Sequence, residues 1–372
     1  MKECSVMLED GKISYRCVIG IIITTIAPTA ILYLPTITYK EAKQDGWISV
    51  LITTILGLLV VYVITELGTM YKDRTIIQYS GDIIGKIPSK ILGFLYCCHF
   101  IYINTFILRE FAELLAGAFM IETPILFFII GIILPSIYGV YKGLEVIIRV
   151  NQMIFPVFMI SILAIILYSI KDMDFTNMLP VFENGIEPII LGGYRNLLWF
   201  TEVFVIAMFM PYINKPDKVR KLSMIAIIII GLLGALINAS IVATFGRNTE
   251  YLTYPYLSLA RYISVGFIER LDSIIMFMWI AGVFIKIAVF HYCATLAIGQ
   301  WLEIKKFKFL AFPIGVLLVI LSYVLWDNLT MLKYEITYIA ILPFIIMQGV
   351  IPVLLFLLTK LKKMLLKKVR KY

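Results

Sequence analysis

Thr24-Thr25-Ile26-Ala27-Pro28-Thr29-Ala30-Ile31-Leu32-Tyr33-Leu34-Pro35 breaks an otherwise apolar stretch with hydroxyls and two prolines. Five apolar stretches later, Asn196-Leu197-Leu198-Trp199-Phe200-Thr201-Glu202 sets a carboxylate inside a second stretch, which closes at Met210-Pro211-Tyr212. In hydrocarbon, unpaired backbone groups and charges cost several kcal/mol each, so they persist only where they line a cavity or meet a partner. Interruptions at matching places in two halves of a chain point to a solute site between discontinuous helices. The fold expected is therefore all-α. About ten transmembrane helices form a five-plus-five inverted repeat, with helices 1 and 6 broken.

The rest of the chain supplies the membrane. Hydrophobic residues make up 61% of the 372, charged residues 15%, and the mean hydropathy is +0.94. No soluble domain has an interior able to hide that much apolar surface. The expected spans 1 to 10 are residues 17–38, 47–70, 91–116, 124–141, 150–170, 194–213, 222–245, 272–298, 309–326 and 336–358. Most hold the roughly 20 residues a helix needs to cross the hydrocarbon core. The polar stretch from Lys2 to Arg16 has no small-residue cleavage site, so span 1 reads as a retained helix and not a leader. Residues 1–372 form a single polytopic domain, with repeats over about 17–170 and 194–358 and a basic tail at 359–372. Gly-Leu-Leu recurs at 57–59 and 231–233, at corresponding places in spans 2 and 7.

Lysine and arginine set the orientation. With the N-terminus inside, 23 of the 33 basic residues fall on the cytoplasmic side, nine outside, and Lys286 within a span. The inner clusters are Lys72/Arg74/Lys86/Lys90, Lys215/Lys218/Arg220/Lys221, Lys305/Lys306/Lys308 and the tail. Both termini are expected in the cytoplasm. The net charge of +9 is a topology signal and not a nucleic-acid footprint. The tail suits an anionic leaflet. Between spans 2 and 3, Lys72 to Ser89 reads as an amphipathic interfacial helix, and Arg247 to Arg270 as a headgroup-level helix or lid.

Five cysteines (Cys4, Cys17, Cys97, Cys98, Cys293) show no C-x-x-C spacing, so neither a disulfide framework nor a zinc site is expected. No H-E-x-x-H, Walker or G-x-G-x-x-G pattern occurs, and no cofactor, metal or catalytic centre is indicated.

Charges inside the spans carry the chemistry. Glu202 lies about eight residues into span 6, with Asn196, Trp199 and Thr201 nearby. An unwound span 6 offers carbonyls and this carboxylate to an ammonium group. A half-helix of span 1 starting near Thr29-Ala30 would aim N–H groups at an anion. Together they describe a pocket for a zwitterion such as an amino acid; the alternative is that Glu202 only bonds a neighbouring helix. Lys286 lies mid-span, too deep to snorkel. It either carries a proton or fixed charge, or pairs statically with Glu202 or Glu66. His99 and Tyr102 share a face of span 3, where His99 is a packing residue or a relay; Arg109 and Glu113 are spaced for a local pair.

The run Phe106-Ile107-Leu108-Arg109-Glu110-Phe111-Ala112-Glu113-Leu114-Leu115, followed by Glu122-Thr123-Pro124-Ile125, resembles a recurring feature of the spore germination permeases, the GerB-type subunits of nutrient germinant receptors. So do Ala30 to Pro35, Gly143 to Arg149, Asn177 to Val181 with Glu183 to Ile186, Phe267 to Asp272, and the Trp279 to Lys286 region, in the same order along nearly the whole chain. That family is similar to the amino acid–polyamine–organocation transporters. The resemblance implies a nutrient-binding subunit of the spore inner membrane, beside a larger A-type subunit and a C-type lipoprotein. Pro28 stands where transporter relatives often carry glycine.

The function expected is a non-enzymatic sensing subunit that binds a small amino-acid-like germinant and signals to its partners. The candidate ligand contacts are Thr25, Ala27, Pro28, Thr29 and Ala30 of span 1, Tyr102 of span 3, and Leu198, Trp199, Thr201 and Glu202 of span 6. Lys286, His99 and Glu66 are the candidate coupling, proton or ion-site residues. The rival reading is a proton-coupled secondary amino acid transporter built on the same pocket.

Overall fold

A computed structural model describes residues 12–263 and 271–369. Cys4, the run from Phe267 to Arg270, the end of the expected lid segment, and Arg370 and Lys371 of the tail lie outside the described residues. Nine helical stretches are long and apolar enough to cross a membrane among the described residues. The first of them, Tyr15–Met70, holds two crossings, Val18–Ala42 and Gly46–Met70, on either side of the tight turn Lys43–Asp45. Ten crossings result. Spans 3 to 5 are Lys86–Ala118, Ile125–Lys142 and Leu144–Ser169. Span 6 is Glu187–Phe200 with its continuation to Tyr212, and span 7 is Pro216–Phe245. Spans 8 and 9 are Leu271–Trp301 and Ala311–Val324, and span 10 runs in pieces from Leu329 to Val369. Several helices outrun the expected bounds by five to seven residues, because an α-helix continues past the hydrocarbon edge where apolarity stops marking it.

Polar residues inside these helices are absorbed locally. Thr24 and Thr25 donate to the carbonyls of Gly20 (2.8 Å) and Ile21 (2.6 Å), and Thr38, Thr53 and Thr54 bond back one turn in the same way. Span 1 is consequently a single helix, and no half-helix starts at Thr29-Ala30. Its interruption is chemical: Pro28 and Pro35 each delete one rung of the ladder while holding φ near the helical value, and no glycine stands beside them to unwind it. Span 6 does change form. Its α-helix gives way at Thr201–Val205 to a 3-10 segment, resumes over Ile206–Phe209, and ends in the tight turn Met210–Tyr212.

Helix packing has two-fold character. Span 1 packs on span 7 as span 2 packs on span 6; span 3 packs on span 9 as span 4 packs on span 8; spans 2 and 7 pack on each other, as do 3 and 8. Exchanging each span with the one five places on leaves these pairings unchanged. The repeated glycines sit in this pattern: a Cβ on Gly57 would meet Ile227 of span 7 at 3.2 Å, and one on Gly231 would meet Thr54 of span 2 at 2.0 Å. Spans 6 and 8 are the inner helices, with 72% and 83% of their apolar windows buried, whereas spans 5, 9 and 10 present most of theirs outward at 28%, 33% and 33%. Exposed Leu, Ile and Phe side chains on the outer spans make the lipid-facing belt.

The connections sort onto two faces. On one, Ile13 N–H donates to Tyr212 O (2.8 Å) and Asn214 N–H to Ile13 O (3.0 Å), Lys90 donates to Trp301 O (2.8 Å), and Lys362 reaches Ile83 O. This face gathers the described basic clusters. On the other, Lys43 meets Glu250 (3.0 Å), Gln44 meets Glu183 (2.8 Å) and Arg261 donates to Ala118 O (2.7 Å). The alternation is what ten antiparallel crossings demand. Of the expected surface helices, Ile76–Ile84 forms behind a Thr75–Gln78 capping box and buries Ile76, Ile77, Tyr79 and Ile83. Pro255–Tyr262 forms the described part of the other.

Candidate functional site

Lys286 Nζ donates to both carboxylate oxygens of Glu202, at 2.8 and 2.7 Å, and to Thr29 Oγ1. Spans 1, 6 and 8 are thus tied at one buried point: Lys286 is 0% exposed, Thr29 1% and Glu202 3%. The ammonium's three N–H bonds are all used. The Phe290 ring, with its centroid 5.9 Å from Nζ, closes one side.

Local sequence explains why these groups meet. The 3-10 segment carries Glu202 in its first turn and turns it from the path a regular α-helix would follow. Gly282, one turn before Lys286, lets span 8 approach closely: a Cβ there would lie 3.0 Å from Phe158 and 3.2 Å from Pro28. Trp279 donates its indole N–H to Pro28 O at 2.7 Å, locking span 8 onto the proline turn. Proline, glycine and tryptophan together set the register in which Lys286 reaches Thr29.

The sequence candidates divide into four groups. Thr29, Glu202 and Lys286 come together. Ala27 and Ala30 line a small apolar cavity with Phe200, Ile230 and Leu233, between spans 1, 6 and 7. Thr25 and Thr201 spend their hydroxyls on Ile21 O and Leu197 O, and Leu198 and Trp199 are buried in the core. Tyr102, His99 and Glu66 lie elsewhere. Tyr102 bonds Glu335, and His99 Nε2 lies 3.0 Å from Gln348 Nε2. With Tyr96 donating to Met347 O (3.0 Å), the polar face of span 3 zips onto span 10. The two π-helical stretches of span 10, Glu335–Ile339 and Ile346–Val350, supply the partners. Glu66 pairs with Arg220 on the basic face.

One residue escaped the sequence reading. Glu110 of span 3 is 1% exposed, and its Oε1 has no hydrogen-bond partner. A signal existed: Arg109 has two carboxylates nearby in sequence, and it takes Glu113 (2.9 Å) together with the carbonyls of Ser322 and Tyr323. The second carboxylate is left over.

Ten crossings, two-fold packing and a charged tie between spans 1, 6 and 8 define a membrane protein of transporter-like fold. The structure superposes on a Na+-coupled sialic acid symporter in a substrate-bound outward-open state (TM-score 0.68, 14% identity, covering 91% of this chain and 78% of that one). It does so equally on MhsT in complex with L-phenylalanine (TM-score 0.68, 11% identity, 91% and 89%). These identities establish the fold alone. The family profile of spore germination proteins matches residues 12–329. Spore germination protein KB of Bacillus subtilis is 30% identical over 327 residues, 86% of this chain and 87% of that protein. The chain belongs to the spore germination permease family.

Proposed function

We propose that the protein is a nutrient-sensing subunit of a spore germinant receptor, without a catalytic step. A small amino-acid-like solute binds near the middle of the bilayer, between spans 1, 3, 6 and 8. Its differing affinity for two arrangements of these helices is passed to A-type and C-type partner subunits in the spore inner membrane. Both termini face the cytoplasm on this reading, in keeping with the basic face that carries residues 12–16 and the tail helix. The two repeats extend over about 17–170 and 194–358.

The observation that carries the proposal is the Lys286–Glu202–Thr29 tie. A buried ion pair is a poor source of stability, because desolvation consumes most of the attraction. It is well suited to a device with two states, since a zwitterion brings an ammonium and a carboxylate that can replace each partner in turn. Membership of the germination family favours a sensor over a transporter on the same frame.

The test is a nutrient dose-response of spores carrying the wild-type gene, Glu202→Gln, or no gene. Glu202→Gln is expected to shift the response to higher nutrient concentration with the protein still present in the membrane. An unchanged dose-response makes the pair structural. Uptake of labelled amino acids by the chain alone in proteoliposomes supports the transporter reading instead.

A further inference from the structure

On the basic face, a cavity of about 540 Å³ opens between the inner ends of spans 2 and 7. Thr69, Arg220 and Lys221 line it at headgroup level, and Met224, Ile225 and Ile228 line it further along span 7. Ile228 lies about 10 Å beyond Lys221 at the rise of an α-helix. Lys221, Ile225, Ile228, Leu232 and Leu236 recur at helical spacing, so they share one face of span 7, and Ile228, Leu232 and Leu236 are exposed. Thr69, Glu66, Tyr62, Leu59 and Ile55 repeat the order on span 2, with the last three exposed. Both walls therefore pass from polar to apolar in the same direction.

The charges at the cavity are only partly answered within the protein. Glu66 pairs with Arg220 and lies 4.0 Å from Lys360, and Asp217 lies 3.4 Å from Lys72. Arg220 is held in place, with Nε donating to Thr65 Oγ1 at 3.3 Å and the guanidinium 5.1 Å from the Tyr62 ring centroid. Among the described residues, its Nη1 and the Lys221 ammonium have no hydrogen-bond partner. A guanidinium fixed along one edge and free at the other is prepared to grip a phosphate.

We propose that this groove holds an anionic phospholipid, its phosphate between Arg220 and Lys221 and an acyl chain along Ile225, Ile228 and Leu232. Cations above a lipid-facing apolar stripe match the polarity of a phospholipid; a free phosphate makes no use of the stripe. A zwitterionic choline headgroup would set a further cation against Arg220 and Lys221, so the site favours a lipid with net negative charge. The assignment is independent of the solute that the protein senses.

The test titrates the full chain, purified in detergent, with phosphatidylglycerol and with phosphatidylcholine of the same acyl chains, and counts bound lipid by native mass spectrometry. The wild type is expected to bind phosphatidylglycerol at least tenfold more tightly. Losing hydrogen bonds to a charged group lowers affinity by about tenfold or more, so Arg220→Gln with Lys221→Gln is expected to remove that preference. Lys221→Gln alone keeps the Glu66 pair, reports in the same direction, and serves where the double variant does not fold. Lys305→Gln with Lys306→Gln, on the same face just after span 8, is expected to change nothing. Equal binding of the two lipids, an unchanged preference in Lys221→Gln, or an equal loss in the Lys305/Lys306 variant overturns the site. Displacement of phosphatidylglycerol by inorganic phosphate at matched concentration assigns the cations to a soluble anion and overturns the lipid assignment too.

Discussion

Glu202 spends both of its oxygens on one donor, Lys286, which stands 84 residues further along the chain on another helix (2.8 and 2.7 Å). Both charges are buried. Removing one member of a buried pair typically costs about 3–5 kcal/mol, whereas replacing both with apolar groups is often close to neutral. Lys286→Met is therefore expected to lower the unfolding temperature sharply, and Lys286→Met with Glu202→Leu to recover most of the loss. Thermal scans of the purified proteins decide the matter; a double variant as unstable as the single one contradicts the assignment.

The crossing of spans 2 and 7 depends on a missing side chain. A Cβ on Gly231 would lie 2.0 Å from Thr54 Oγ1, and 2.6 Å from its methyl. Gly231→Val overpacks the contact and is expected to cost about 1–3 kcal/mol or more. Gly131→Ala, with nothing within 4 Å, is expected to be tolerated. Membrane abundance and melting temperature of the two variants side by side test the difference.

His99 and Gln348 couple span 3 to span 10 at 3.0 Å, away from Lys286. Gln348→Leu leaves the imidazole with an unmet group, at a cost of about 1–3 kcal/mol, while substituting both residues by leucine costs much less. A double-mutant cycle on stability is the measurement. A purely structural role also predicts that the double variant keeps the wild-type nutrient midpoint.

Asp45 sits in the turn between spans 1 and 2. One carboxylate oxygen accepts from Phe182 N–H (2.9 Å) and the other has no partner. Burial raises its pKa above the usual carboxylate value, Phe182 N–H opposes the rise, and Glu183 adds to it. A folded-state pKa above the unfolded one means that the folded chain holds the proton more tightly. The contribution to stability is thus fully present below the unfolded pKa and is lost as pH rises through the folded pKa. Asp45→Asn keeps an acceptor for Phe182 and removes the charge. It is expected to raise the melting temperature at neutral pH and to flatten its dependence on pH; a lower neutral-pH melting temperature counts against this account.

Much of the architecture was legible because charge is so rare in this chain. Lys286 and Glu202 stand out as isolated ions in apolar runs, and basic clusters mark one set of connections. The interruption in span 6 was readable as well. That of span 1 was over-read, since proline deletes a hydrogen bond without forcing the chain out of helical φ, and only the surrounding packing decides whether the helix opens. Tyr102 and His99 were placed on a common face, but which helix that face meets is a tertiary fact, fixed by the π-helical stretches of span 10. Glu110 hid behind Arg109 and Glu113, whose spacing accounts for one carboxylate and silently leaves another.

Ile13 is bonded through both its backbone groups to the chain just beyond span 6, at Tyr212 O and Asn214 N. That stitch fastens the segment ahead of span 1 to the far end of the span that carries Glu202. On the proposed sensing reading, a shift of the lower part of span 6 would carry this leading segment with it and so bring a change at the ion pair out to the membrane surface.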